Sequence, residues 1–262
     1  MPAEMTDPIA NGRELMGKLP LLTLSFWVMK ICATTLGETA GDLLSMTMEV
    51  GYLVSTCILL GFFIVTVSSQ LVAKSYHPLL YWTVILSTST AGTTMSDFMD
   101  RTLGLGYLTG SLILVTALVA SLTLWWLIDR SLSVQRITSR RTECLYWLTI
   151  LISNTLGTAL GDYLADDSGL GFFGGAALIA AVLAVIVTLH YTTTISKIAL
   201  FWLAFVLTRP FGATLGDVLT KTHEQGGLGF GTIGSSAVLL VILMAFMVYS
   251  HVQQRRAMAG PA

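Results

Sequence analysis

Residues 147–162 read WLTILISNTLGTALGD. The stretch opens on Trp147, reaches Gly157 ten residues later and ends on Asp162 after fifteen, with no other charge between. The same offsets recur in three further places. Trp27, Trp82 and Trp202 are followed by Gly37, Gly92 and Gly212 and then by Asp42, Asp97 and Asp217, so four tryptophans spaced 55, 65 and 55 residues apart head one ungapped pattern. The residue before each aspartate is small (Gly41, Ser96, Gly161, Gly216), and the position eight after the tryptophan holds Thr35, Thr90, Thr155 or, in the fourth copy, Pro210. A glycine-bearing restart follows each aspartate: Gly51 in copy one, then Gly104-Leu-Gly106, Gly169-Leu-Gly171 and Gly227-Leu-Gly229. A rare residue and an unwelcome charge, repeated at fixed offsets in apolar sequence, mark four copies of one unit.

Composition sets the solvent of that unit. Of 262 residues, 54% are hydrophobic and 11% charged, where a soluble domain carries about 25% charged residues. The mean hydropathy of +0.75 goes with apolar runs such as Leu53–Val67, Leu112–Ile128 and Ala176–Leu189, which extend through uncharged flanks to membrane-spanning length. Each unit holds two apolar spans, the first carrying the tryptophan and aspartate, the second opening at the glycines. The fold expected is an all-α membrane protein of eight transmembrane helices, near 19–42, 51–73, 79–100, 105–128, 143–164, 170–190, 196–218 and 229–250. They form four pseudo-symmetric two-helix repeats (19–73, 79–128, 143–190, 196–250) in one membrane domain, 19–251, between a leader, 1–18, and a tail, 252–262.

A net charge of −1 and a pI near 6.4, with no basic stripe, exclude nucleic acid as a partner. Cys32, Cys57 and Cys144 lie far apart without metal-ligand spacing and read as packing residues. His77, His190 and His223 fall singly in turns. The polar start, with Pro2, Asp7 and Pro8, is unlike a cleaved signal peptide, so the first span is expected to stay in the membrane.

With its tryptophan-headed, two-span unit repeated four times between Leu19 and His251, the chain resembles a family of bacterial membrane proteins built from a tandem repeat of unknown function. That resemblance implies the eight-helix, four-copy architecture and a place in the bacterial inner membrane. It implies no activity. Copy four departs from the others at Arg209-Pro210, and copy one at Glu49-Val50-Gly51.

Orientation follows from the basic residues. Ten of the fourteen, Arg13, Lys18, Lys74, Arg130, Arg136, Arg140, Arg141, Lys197, Arg255 and Arg256, lie on the side of the termini, which the positive-inside rule places in the cytoplasm. The turns within the repeats then face outward, with ten of the fifteen acidic residues in or near them. The tryptophans read as an interfacial aromatic belt on the cytoplasmic side. Fifteen residues of helix rise about 22 Å, which puts each aspartate near the outer interface.

Four parallel copies around an axis along the membrane normal bring the aspartates into one layer. Carboxylates at membrane depth are costly, they repel one another, and each stands at the unfavourable C-terminal end of a helix. A bound cation or shared protons would relieve all three penalties. Asp42, Asp97, Asp162 and Asp217, with Glu38 one turn before Asp42, form the expected metal site. Its all-oxygen donors suit a hard divalent ion, and Met46, Met95 and Met99 nearby tilt the choice towards manganese. Thr35, Thr90, Thr155, Asp100, Asp166, Arg209 and Lys30 are expected along the substrate pathway.

Simpler roles compete. Gly37, Gly41, Gly92, Gly157, Gly161, Gly212 and Gly216 belong to small-xxx-small pairs, whose usual role is close helix packing. Asp97 can pair with Arg101, Asp217 with Lys221, and Lys30 or Arg209 with Glu38. Copies one and three lack such a base, which favours them as the ion site. The function expected is a transporter of a divalent metal ion, with a proton-coupled small-solute carrier or a non-transporting scaffold or sensor as alternatives. No enzyme is expected: the Gly-x-Gly-Asp motif of intramembrane aspartyl proteases is absent, as is any Ser/His/Asp or Cys/His set. No cofactor is implied beyond a bound divalent cation. The partners expected are the lipid bilayer, a metal ion or small solute, and a second copy of the chain.

Overall fold

The computed structural model describes residues 23–134, 137 and 139–259. The leader at 1–18, the start of the first span and Arg136 lie outside the described residues. Among the described residues eight long helices carry the fold: α1 (Leu24–Asp42), α2 (Tyr52–Val72), α3 (Pro78–Asp97), α4 (Tyr107–Asp129), α5 (Arg140–Asp162), α6 (Gly171–Thr192), α7 (Lys197–Thr220) and α8 (Gly231–Ala259). No strand occurs among the described residues. Local chemistry starts the tryptophan-bearing helices. Thr23, Ser139 and Ser196 turn a side-chain oxygen to accept from the free N–H of Phe26, Thr142 and Ala199, and Pro78 opens α3, where its missing donor costs nothing.

The odd-numbered helices run parallel and form a closed inner ring, α1 against α3, α3 against α5, α5 against α7 and α7 against α1. Glycines set how closely they approach. Gly37 and Gly41 of α1 receive Ser89 and Thr93 of α3; Gly92 of α3 receives Asn154 of α5; Gly157 and Gly161 of α5 receive Arg209 and Ala213 of α7; Gly212 and Gly216 of α7 receive Thr34 and Glu38 of α1. One interface is thus used four times, and the circle closes. A Cβ at Gly92 would lie 2.9 Å from the Asn154 carbonyl carbon, so the backbones themselves are in contact there.

The even-numbered helices form an outer ring with a displaced registration. Each packs chiefly on the first helix of the next repeat: α2 on α3, α4 on α5, α6 on α7, and α8 back on α1. Repeats are therefore interlocked rather than stacked as separate hairpins. Six helices, α2, α4, α5, α6, α7 and α8, are long and apolar enough to cross a membrane. In the most apolar stretches of α2, α4, α6 and α8 only 17–28% of residues are buried, against 50% in α7 and 67% in α5. The helices outside that set, α1 and α3, are inner-ring helices rich in polar residues (Lys30, Glu38 and Asp42 in α1; eight hydroxyl residues from Thr83 to Ser96 in α3), most of them buried within the bundle. Multi-pass character rests on the apolar outer surface.

The tryptophans need a correction. A lipid-facing belt would expose them, but Trp82, Trp147 and Trp202 are buried, and Trp125 of α4 is fully buried beside them. Their rings stack edge-on within the bundle, Trp125 on Trp202 at 5.5 Å and Tyr146 on Trp147 at 4.9 Å, while the Tyr81 and Tyr146 hydroxyls bond at 2.9 Å. They close the end of the inner ring nearest the termini. Only Trp126 stands well exposed.

At the other end, α1, α3 and α5 widen into π-helical turns, Leu43–Thr47, Phe98–Thr102 and Tyr163–Asp167, so that Asp42, Asp97 and Asp162 sit where the helix changes pitch. α7 instead stays α-helical to Thr220 and ends in a short 3-10 turn, His223–Gln225. The restart after these turns needs two residues at positive φ. Copies two and three place glycines there, Gly104 and Gly106, Gly169 and Gly171. Copy four uses Gly229 and Gly231, one step beyond the Gly227-Leu-Gly229 read from sequence, because its turn is longer. Copy one puts Glu49 at φ 55° before Gly51 at φ 80°.

Candidate functional site

The inner ring turns a stripe of side chains to its axis, at three, seven, eleven and fifteen residues after each tryptophan. The layers differ in chemistry. Lys30 stands in the first beside Phe205, its Nζ 4.1 Å from the ring centroid. It is fully buried, and its Nζ has no hydrogen-bond partner among the described residues.

The next layer is closed by Arg209. Its guanidinium crosses from α7 to the three other inner helices: Nη1 donates to Glu38 Oε2 at 2.9 Å, and Nη2 donates to Thr93 Oγ1 at 2.6 Å, to Thr158 Oγ1 at 2.7 Å and to the Ser89 carbonyl at 3.4 Å. Thr93 and Thr158 in turn donate to Glu38 Oε2 at 3.2 and 3.0 Å. Arg209 is fully buried and Glu38 nearly so, and the network ties all four helices across the axis. The pair is supported because Nη1, Nη2 and the two threonine hydroxyls are matched, although Arg209 Nε finds no partner among the described residues. Pro210 follows directly in α7, where it removes the backbone donor that would bond one turn back.

Beyond this lock lies the carboxylate layer, with Asp42, Asp97, Asp162 and Asp217 all buried. Two bases reach in from the rim. Arg101 Nε pairs with Asp97 Oδ1 at 3.0 Å and its Nη2 with Asp162 Oδ2 at 3.2 Å; Lys221 Nζ pairs with Asp217 Oδ1 at 3.2 Å and with Asp42 Oδ2 at 3.4 Å. Each base thus serves one aspartate of its own repeat and one of another. The expectation that copies one and three lack a base is corrected here, since the partner comes from a neighbouring repeat. Arg101 also stands over the rings of Tyr52 and Tyr107, at 5.9 and 5.6 Å. Burial alone would lower the Lys221 ammonium, but Asp217 and Asp42 outweigh it and hold it above the ordinary lysine range. The Arg101 and Lys221 side chains remain 31% and 20% exposed, so the layer is reached from the end of the ring remote from the termini.

Where this layer meets the Arg209 lock, Glu38, Asp162 and Asp217 converge. One oxygen from each lies within 4.8 Å of the others, close enough for one cation to touch all three. Asp42 and Asp97 stand outside that group. Thr35, Thr90 and Thr155 turn their hydroxyls to carbonyls of their own helices, Ile31, Leu86 and Leu151. A helical threonine commonly bonds back to the carbonyl one turn earlier, so sharing a face with the aspartates does not direct these hydroxyls to them. Asp100 accepts from Ser96 at 3.2 Å and packs on Gly110 of α4, and Asp166 is exposed on its turn.

Thr93 and Thr158, and the cross-repeat roles of Arg101 and Lys221, were not singled out in the sequence. The first two occupy the position of Glu38 in copies two and three, eleven residues after the tryptophan. Aligning the copies at that offset would have found them. The cross-repeat pairs carry no sequence signal, because their partners are 61 and 179 residues apart.

No curated protein and no solved structure matches the chain. Four successive segments, residues 25–76, 80–131, 145–196 and 200–256, match the family model described as Repeat of Unknown Function (DUF347). Each segment holds one inner helix with its tryptophan and aspartate and the outer helix that follows, and on that evidence the chain belongs to this repeat family.

Proposed function

We propose that this protein is a membrane transporter whose carboxylate cluster takes up a cation from the outer rim, a divalent metal ion such as manganese being the best fit. The observation that carries the reading is the convergence of Glu38, Asp162 and Asp217 within 4.8 Å. Charge supports it. Five carboxylates, Glu38, Asp42, Asp97, Asp162 and Asp217, face three bases, Arg101, Lys221 and Arg209, so with all groups ionised the layer carries two negative charges in excess. One divalent ion balances them. Oxygen donors at a buried, pre-gathered site are what a hard cation requires.

In this reading all eight helices span the membrane, with α1 and α3 shielded by the others, and both termini lie in the cytoplasm of a bacterial inner membrane. The carboxylate layer opens outward, while the Arg209 lock and the aromatic floor close the path inward. Transport then requires Arg209 to leave Glu38, and α7 is the element able to yield, at the break that Pro210 makes in its hydrogen-bond ladder. The protein carries out no covalent chemistry.

A proton-coupled carrier of a small solute is the second reading, and the shared bases favour it. When either aspartate of a pair takes a proton, Arg101 or Lys221 still has the other, so protons can enter without stranding a buried cation. Thermal unfolding of the detergent-purified protein with magnesium, calcium, manganese, zinc or no metal, at two pH values, separates the readings. A ligand that binds only the folded state raises its midpoint. A selective rise with one divalent ion, lost in Asp162→Asn and Asp217→Asn, is the expected result and leads to flux measurements in liposomes. No rise with any metal, with both variants as stable as the wild type, would sink the metal reading.

A further inference from the structure

Remote from the carboxylate layer, at the end of α4 near the termini, a groove of about 280 Å³ runs along the outer surface. Val119, Leu122, Thr123 and Trp126 line it from one face of α4, and Leu132 of the following linker closes its side. Apart from Thr123 the groove is apolar, and a cation stands beside its Trp126 wall. Arg130 folds back so that its guanidinium carbon lies 4.9 Å from the centre of the Trp126 ring. This placement uses an unfavourable backbone: Arg130 adopts φ 53°, a left-handed conformation that side-chain-bearing residues avoid, while its N–H caps the Trp126 carbonyl at 2.8 Å. The adjacent acid does not neutralise it. Asp129 Oδ2 accepts from the Trp125 indole at 3.0 Å, and no ion pair to Arg130 occurs among the described residues. Arg140 and Arg141 stand exposed in the first turn of α5, the helix on which α4 packs.

We propose that this groove is a binding site for an anionic phospholipid of the leaflet on the side of the termini. The acyl chain lies along Val119, Leu122 and Leu132, and the phosphate meets the guanidinium that Trp126 holds at the rim. Apolar length and terminal cation match the two ends of such a lipid, and Trp126, the well-exposed tryptophan, sits at the level where chain gives way to headgroup. The site depends on α4 lying in the membrane and is independent of what the carboxylate layer binds.

Native mass spectrometry of the delipidated, detergent-solubilised protein tests it, with phosphatidylglycerol, phosphatidylcholine of the same chains, and inorganic phosphate as probes. One phosphatidylglycerol should be retained about fivefold better than phosphatidylcholine, the preference that one arginine at a membrane surface confers. Arg130→Gly, which suits the left-handed backbone and so keeps the fold, should abolish the preference. Val119→Trp, at a lipid-exposed position, should fill the groove and reduce retention of both lipids. Equal retention of the two lipids by the wild type, or a preference that survives Arg130→Gly, overturns the proposal. So does displacement of phosphatidylglycerol by millimolar inorganic phosphate with no effect of Val119→Trp, which would mark a simple phosphate site.

Discussion

The inner and outer rings are made from alternating segments of the same repeat, yet they solve opposite problems. Outer helices α2, α4, α6 and α8 are apolar and mostly exposed; inner helices carry Lys30, Glu38, Arg209 and four aspartates, all buried. The difference is one of solvent. On the exposed face of an outer helix a polar group has only its own backbone to bond, as where Thr116 and Thr188 donate to carbonyls one turn back. An inner helix packs on two others like itself and faces a third across the axis, so its polar groups can be answered by theirs. The fourfold arrangement lets one sequence pattern present an apolar wall outside and a charged axis inside.

The largest effect is expected where that answer is most complete. Arg209→Met leaves Glu38, Thr93 and Thr158 without the group that joins them, and breaking a buried ion pair from one side costs about 3–5 kcal/mol. The unfolding midpoint in detergent should fall sharply. The double variant Arg209→Met with Glu38→Gln should recover much of the loss, because no charge is then left unanswered. If Arg209→Met unfolds at the wild-type midpoint, the axis is not locked by this pair and the contrast between the rings loses its centre.

A smaller effect tests packing rather than charge. Gly92→Ala places a methyl group 2.9 Å from the α5 backbone, and forced overpacking costs about 1–3 kcal/mol. Gly61, in outer helix α2, has nothing within 4 Å of where a Cβ would stand. Gly61→Ala should therefore cost nothing. Thermal unfolding of the two variants side by side measures the asymmetry, and equal losses would mean that the inner glycines do not set the approach of the helices.

How much of this could be read from the sequence follows from the same contrast. The repeat, its two helices and the aspartate layer are properties of local pattern, so Trp27, Asp42 and their counterparts were enough to place them. The tryptophans' orientation was not local. An indole near a membrane interface can face lipid or protein, and only the neighbour's Tyr81 or Trp125 decides that Trp147 and Trp202 face inward. Partners across the ring were equally hidden. Arg101 and Asp162, or Lys221 and Asp42, meet because the ring closes, and no spacing within one helix announces it. The polarity of α1 and α3 was legible but ambiguous, since the residues that make them poor membrane spans by composition are the ones the bundle buries.

The smallest expected effect concerns the one copy that breaks the turn rule. Copies two, three and four place glycine at both positive-φ positions of the restart, whereas copy one has Glu49 at φ 55°, exposed and without a side-chain bond among the described residues. Holding a side-chain-bearing residue in the left-handed region costs about 1–2 kcal/mol, part of which glycine returns through its freer unfolded chain. Glu49→Gly should therefore stabilise the protein by up to about 1 kcal/mol, and Gly104→Ala, at the matching position of copy two, should destabilise it by a similar amount. Opposite signs at equivalent positions would show that the restart is the same device in both copies. Should Glu49→Gly lower the unfolding midpoint instead, the Glu49 side chain does something in copy one that the other copies do without. Its place in the turn that follows Asp42 would then make it the next residue to test for the cation uptake proposed above.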